Sequence, residues 1–265
     1  MLSRKNWIGI LLMVLVLTFG MTVVGCGYDS KNNSENGGEG PNTHGGTFTS
    51  NRTGKHNGYD FEFWTDSRGA GSGSMTLTGA GTFECKWTNT FNILFRMGKK
   101  YNETQRHTQI GTFTLEYGFS DYEPVGTSYV TVYGWTVEPL VEFYIVENWG
   151  PNNYKGGGGP IKATVTIDDG VYDIYESTRI NQPSIKGNRT FQQYWSIRRN
   201  RRTEGTISIS EHFKAWEAAG LNMNGRMYEV AFCVEAYGGN ARNASGSANV
   251  FKNKLMVNGV EINAR

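Results

Sequence analysis

The chain has 265 residues, a formal net charge of +2, 38% hydrophobic and 19% charged side chains, an ordinary globular balance with length for one large core. No global field draws it to nucleic acid; the local cluster Arg198, Arg199, Arg201 and Arg202 reads as a solvated sheet face. The four histidines are scattered and no CxxC, HExxH or GxSxG occurs, so neither a catalytic metal nor a serine-hydrolase elbow is expected.

Taken in order, residues 1–26 read as a targeting segment: Arg4 and Lys5 precede the uncharged apolar stretch Trp7 to Val24. Val23-Val24-Gly25-Cys26 looks like a bacterial lipobox, which makes Cys26 the expected lipidation site and the protein an exported, membrane-anchored one. An ordinary cleavage site near Gly25 or an uncleaved span are the alternatives. Residues 27–46 are nearly devoid of apolar side chains and rich in Gly, Asn and Ser, a flexible linker. From residue 47 to residue 265 a single domain is expected. Short runs of β-branched and aromatic residues alternate there with glycines, as in Tyr59 to Trp64, Met75 to Leu77, Ser128 to Trp135 and Ala163 to Ile167.

Many short strands predict an all-β sandwich or jelly roll. One segment has helical period: Ser210 as cap, Phe213, Trp216 and Ala219 or Ala218 inward, Gly220 as stop. A single α-helix on a large sheet is therefore expected. No repeat of 20 to 50 residues occurs, and no further binding module is expected beyond the last strand-like run. Cys85 and Cys233 lie in strand-like runs far apart and read as two buried thiols, with a bridge permitted by export.

Two carboxylates break the apolar pattern. In Pro139 to Glu147, alternation puts Glu142 and Tyr144 on one face and Val141, Phe143 and Ile145 on the other. In Tyr228 to Tyr237 it puts Glu229, Cys233, Glu235 and Tyr237 together, against Val230, Phe232 and Val234. A charge on such a strand costs desolvation unless partnered, so two of them point to a working site. Periodicity alone equally allows two glutamates on a solvated antiparallel face. The 35 glycines and 13% aromatics suit flat, hydroxyl-covered ligands such as sugars.

The segments Val132-Tyr133-Gly134-Trp135-Thr136, Pro139 to Asn148, Tyr172-Asp173-Ile174-Tyr175, Thr178 to Ile185 and Gln193 to Arg198 together resemble the family 11 glycoside hydrolases, from about Gly58 onward. The resemblance implies a β-jelly roll shaped like a partly closed hand, two curved antiparallel sheets that form a cleft for xylan and xylo-oligosaccharides. It implies a retaining endo-β-1,4-xylanase without cofactor, with Glu142 as nucleophile and Glu235 as acid/base. Tyr129, Tyr133 and Tyr144 match the cleft tyrosines, Arg179 and Gln193 the supporting polar groups, and Trp64 the aromatic platform for a non-reacting sugar. Pro183, Ser184 and Ile185 match the thumb tip that closes over substrate; Tyr237 follows the acid/base. Asn92 matches the neighbour of the acid/base and implies a near-neutral optimum.

This sequence departs from the family pattern after Glu235, where Ala236-Tyr237-Gly238-Gly239-Asn240 replaces Gly-Tyr-Gln-Ser-Ser. Val137-Glu138 and Phe143 are substitutions near Glu142, and Arg96 to His107 is longer and more charged than usual. A noncatalytic xylan-binding surface lipoprotein is the competing expectation, since it too would display Trp and Tyr on a β-sandwich. A monomer is the simplest assembly.

Overall fold

The computed structural model describes residues 45–66, 71–152, 159–241 and 243–263. The expected targeting segment, Cys26 and nearly all of the linker lie outside the described residues. Two antiparallel-dominated sheets make up the domain. The nine-stranded sheet runs β10 (Ala163–Ile167), β11 (Gly170–Gln182), β12 (Arg189–Arg198), β9 (Val141–Trp149), β8 (Thr127–Val137), β14 (Arg226–Tyr237), β6 (Asn92–Lys100), β3 (Tyr59–Asp66) and β2 (Arg52–His56). The seven-stranded sheet runs β1 (Thr47–Phe48), β4 (Ser72–Leu77), β5 (Phe83–Thr90), β15 (Ala244–Val257), β7 (Phe113–Ser120) and β13 (Glu204–Ile207), with β16 (Val260–Glu261) on β15. Within the larger sheet only β12 and β9 pair in parallel. This is the expected jelly roll.

Alternation sorts each central strand of the larger sheet into two burials. Val132, Phe143, Phe232 and Phe95 enter the main core between the sheets. Tyr133, Tyr144, Cys233 and Leu94, offset by one residue, form a second cluster on the opposite face together with Tyr129, Trp135, Trp149, Tyr175 and Trp195. Both faces of β8 and β9 are thus buried, so their polar side chains must find partners. Gly134 is needed where strands crowd: a Cβ there would come within 2.2 Å of the Glu229 carbonyl oxygen.

Among the described residues there are two helices where one was expected: α1 (His107–Ile110) is a four-residue turn and α2 (Ile209–Ala218) is the periodic segment. Phe213 and Trp216 are fully buried, and Ala219 rather than Ala218 packs on the core. Gly220, at φ +82°, follows the helix as expected. The N-cap is Ser208, not Ser210. Ser208 Oγ donates to Asp168 Oδ1 at 2.8 Å, while Ser210 Oγ, inside the first turn, accepts from the Phe113 N–H at 2.8 Å. Trp216 Nε1 donates to Ser196 Oγ at 2.9 Å and its ring lies 5.9 Å from Phe143. We expect Trp216→Ala to cost about 3–5 kcal/mol, read as a lower denaturant midpoint, because it leaves a cavity behind β9 and orphans a buried hydroxyl.

The arginine cluster also departs from expectation. Arg198 is 9% exposed and donates through Nη1 to the Tyr172 hydroxyl at 3.1 Å. Arg202 donates through Nε to Glu147, a fully buried carboxylate that also accepts from Tyr117 at 2.7 Å. Only Arg199, paired with Asp173 at 2.9 Å, and Arg201 remain on the solvated side. Glu147 explains the inward turn: a carboxylate in the core requires a cation and hydroxyl donors. Cys85 and Cys233 are free, buried thiols.

Candidate active site

The second aromatic cluster is the floor of the site. Glu142 on β9 lies opposite Trp135 of β8, and Glu235 on β14 lies opposite Tyr129 of the same strand. Both point to the floor side, at 8% and 7% exposure. The Tyr133 hydroxyl donates to Glu142 Oε1 at 2.8 Å, and Gln193 Nε2 donates to Glu142 Oε2 at 2.6 Å. Ser177 Oγ donates to Gln193 Oε1 at 3.1 Å, which fixes the amide with its nitrogen toward Glu142. Trp135 Nε1 donates to the Tyr133 oxygen, leaving the Tyr133 proton for the carboxylate. Tyr144 is held by a parallel stack on Trp195, centroids 3.8 Å apart, and its hydroxyl favours the ionised form of both carboxyl groups.

The two environments differ. Burial raises the Glu142 pKa, but bonds from Gln193, Tyr133 and Tyr144 and the nearby Arg179 charge oppose that rise by stabilising the ionised form. Glu235 is pushed up to about 8, first by burial and then by the Glu142 charge. Its Oε2 has no hydrogen-bond partner among the described residues. Asn92 Oδ1 is likewise buried without a partner. Asn92 pairs with Tyr237 in the β6–β14 ladder, diagonally beside Glu235 on the same face.

The remaining expected residues distribute around this pair. Arg179 stands opposite Phe191 of β12 and acts electrostatically on both glutamates. Tyr129 meets Trp195 edge-on at 5.9 Å. Trp64 is half-buried against the floor from β3. Tyr237, 45% exposed, stands at the strand end with its ring edge-on to Phe91. Pro183, Ser184 and Ile185 lie in the β11–β12 connection, where Ser184 and Gly187 exchange backbone hydrogen bonds of 3.1 and 3.2 Å. Ile185 packs on the aromatic floor, and Lys186 Nζ meets both Glu103 oxygens, at 2.7 and 2.8 Å. Glu103 belongs to the connection before α1, and Arg96 to Lys100, the first part of the longer and more charged segment, form the end of strand β6. Cavities of about 410 and 440 Å³ lie at opposite ends of β9, one beside Glu138 and Arg226, the other beside Trp149 and Arg201. Among the described residues no three His, Cys, Asp or Glu side chains gather as metal ligands.

The expectations from sequence did not use Arg96, Glu62 and Lys100. The signal was available: Arg96 interrupts the apolar run Ile93 to Met97 as Glu142 interrupts its own.

A β-jelly roll with paired carboxyl groups in unequal polar surroundings on an aromatic floor defines the class: a glycoside hydrolase scaffold. The model of the glycosyl hydrolases family 11 matches residues 56–250, and the chain belongs to that family. It is 52% identical over 207 residues to endo-1,4-beta-xylanase A of Thermoclostridium stercorarium, covering 78% of this chain but only 30% of that protein. Endo-1,4-beta-xylanase A of Bacillus pumilus is 49% identical over 214 residues, 81% of this chain and 88% of that one. The solved family 11 xylanase from Neocallimastix patriciarum superposes with a TM-score of 0.69 at 32% identity, over 80% of this chain and 99% of that chain.

Proposed function

We propose that the protein hydrolyses internal β-1,4-xylosidic bonds of xylan with retention of anomeric configuration. Glu142 attacks the anomeric carbon while Glu235 protonates the departing sugar oxygen; a water deprotonated by Glu235 then attacks the same carbon, breaking the ester bond and freeing the sugar and the Glu142 carboxylate. The observation that carries this is the inequality of the two carboxyl groups on one floor. Glu142 has donors that favour its charge, and Glu235 is pushed up to about 8. Once Glu142 is esterified its charge is gone, so Glu235 loses its proton more readily and serves as base.

In this reading Trp64, Tyr129, Tyr133 and the Pro183-Ser184-Ile185 tip grip the sugar chain, and Arg179 and Gln193 hold the carboxyl groups ready. The chemistry needs two carboxyl groups and water, so no cofactor takes part. Export, lipidation at Cys26 and a tethered monomer belong to the same proposal, carried by the pattern of residues 1–46.

The test is reducing-sugar release by the full chain from xylan, with cellulose as control, and the anomeric form of the first product by NMR. Xylo-oligosaccharides born as the β-anomer are expected. A first-formed α-anomer would remove the retaining mechanism. Folded protein that binds xylan and releases nothing would leave the xylan-binding surface lipoprotein as the better reading.

A further inference from the structure

Arg96 is buried in mid-β6 at 6% exposure, on the floor side of the sheet. Its Nη2 donates to Glu62 Oε2 of β3 at 2.8 Å, and its Nε to Glu229 Oε1 of β14 at 3.1 Å. Lys100 Nζ meets the same Glu62 oxygen at 2.8 Å. The guanidinium carbon stands 4.9 Å from the centroid of the Tyr133 ring, whose hydroxyl bonds Glu142. In the β6–β14 register Arg96 is opposite Cys233, two residues from Glu235 on the same face, about 7 Å along the strand. A buried ion network of this kind stabilises a fold little compared with apolar side chains of similar volume. An interior arginine at the back of the floor therefore calls for another reason.

We propose that Arg96 is a positioning residue for the hydrolytic reaction, clamping the Tyr133 ring against Glu142 and holding a fixed positive charge beside Glu235. The inference rests on the roles proposed for those two glutamates. Arg96 is faced by Glu62 of β3, Lys100 of its own strand, Glu229, Cys233 and Glu235 of β14 and Tyr133 of β8. Glu235 in turn faces Glu142 and Tyr144 of β9 and Arg179 of β11. Among these, Arg96 and Arg179 favour the ionised form of Glu235, whereas Glu142 opposes it. Glu229 pairs with Arg96 and carries the opposite charge, so removal of one or the other is expected to act on Glu235 with opposite sign.

That opposition supplies the test: the pH dependence of kcat/KM on xylan, with thermal unfolding alongside, for Arg96→Met, Arg96→Lys and Glu229→Gln in the full chain. Arg96→Met is expected to move the alkaline limb up by about half a pH unit or more and to lower kcat about tenfold or more, as Tyr133 loosens. Glu229→Gln moves the limb down. Arg96→Lys keeps the limb near its wild-type place but not the full kcat, since an ammonium lacks the planar fork that lies over the ring. A purely structural role lowers the unfolding temperature and leaves both limbs in place, or moves them the same way; either result overturns the proposal. If Arg96→Met fails to fold, the other two variants still decide it. Wild-type protein without xylan hydrolysis would remove the roles of the glutamates, and this proposal with them.

Discussion

Glu142→Gln is expected to lower kcat on xylan by about ten-thousand-fold or more while fold and substrate binding survive. The loss follows from the chemistry. An amide oxygen has neither the charge nor the free lone-pair density to displace a sugar from its anomeric carbon, and among the described residues no other carboxylate shares the Tyr133 and Gln193 donors. Survival of the fold follows from geometry. Gln193 is locked with its nitrogen toward position 142, so the new amide turns its oxygen there and its nitrogen toward Tyr133. The Tyr133 oxygen can accept that bond beside the one from Trp135, and the hydroxyl proton swings away. Replacing a buried charge by a neutral isostere also removes a desolvation cost. The checks are reducing-sugar release, calorimetric binding of a xylo-oligosaccharide and unfolding temperature. A folded variant that keeps more than a few per cent of wild-type turnover would disprove the nucleophile assignment.

How much of this was legible in the sequence depends on what each residue needs to be understood. Alternation in Ala163 to Ile167 marks a strand because it is local, and β10 has those limits. The spacing of Phe213 and Trp216 reveals α2 for the same reason, whereas the four residues of α1 are too few to show a period. The helix starts at Ser208 rather than Ser210, and the bond from Ser208 to Asp168, forty residues away, is invisible in the local pattern. Alternation put Glu142 with Tyr144 and Glu235 with Tyr237 on one face, but it cannot tell a cleft floor from a solvated face; the motif resemblance made that distinction. The arginine cluster failed for want of a partner. Nothing near Arg202 in the chain announces that Glu147, fifty-five residues back, is a fully buried carboxylate. Arg96 was readable by the logic that singled out Glu142, a charge in an apolar strand, yet its significance depends on Tyr133 lying beneath it.

Glu235→Gln separates acid/base chemistry from binding, and its signature is a change of pH profile as well as of rate. In the wild type, kcat/KM should rise as Glu142 ionises and fall as Glu235 loses its proton, with the alkaline limb near the pKa of about 8. The variant should lose about 10²- to 10⁴-fold in kcat on xylan, and the alkaline limb should vanish because the group that produced it is gone. An aryl xyloside with a phenolate that leaves without protonation should still glycosylate Glu142, and the covalent intermediate should accumulate for want of a base, visible as a burst and by mass spectrometry. Stability changes in the opposite direction. Glu235 keeps its proton in the fold up to about 8, whereas an unfolded glutamate releases it near the ordinary value of 4.5. The folded state thus binds more protons across that window, and its stability falls as pH rises, by up to about 1.4 kcal/mol per pH unit. Below that window the contribution is fully present; above about 8 it is lost. Glu235→Gln removes this dependence, so its unfolding temperature should match the wild type near pH 4 and exceed it progressively toward pH 8. Equal slopes of unfolding temperature against pH in the two proteins, or an alkaline limb that persists in the variant, would mean that another group holds the catalytic proton.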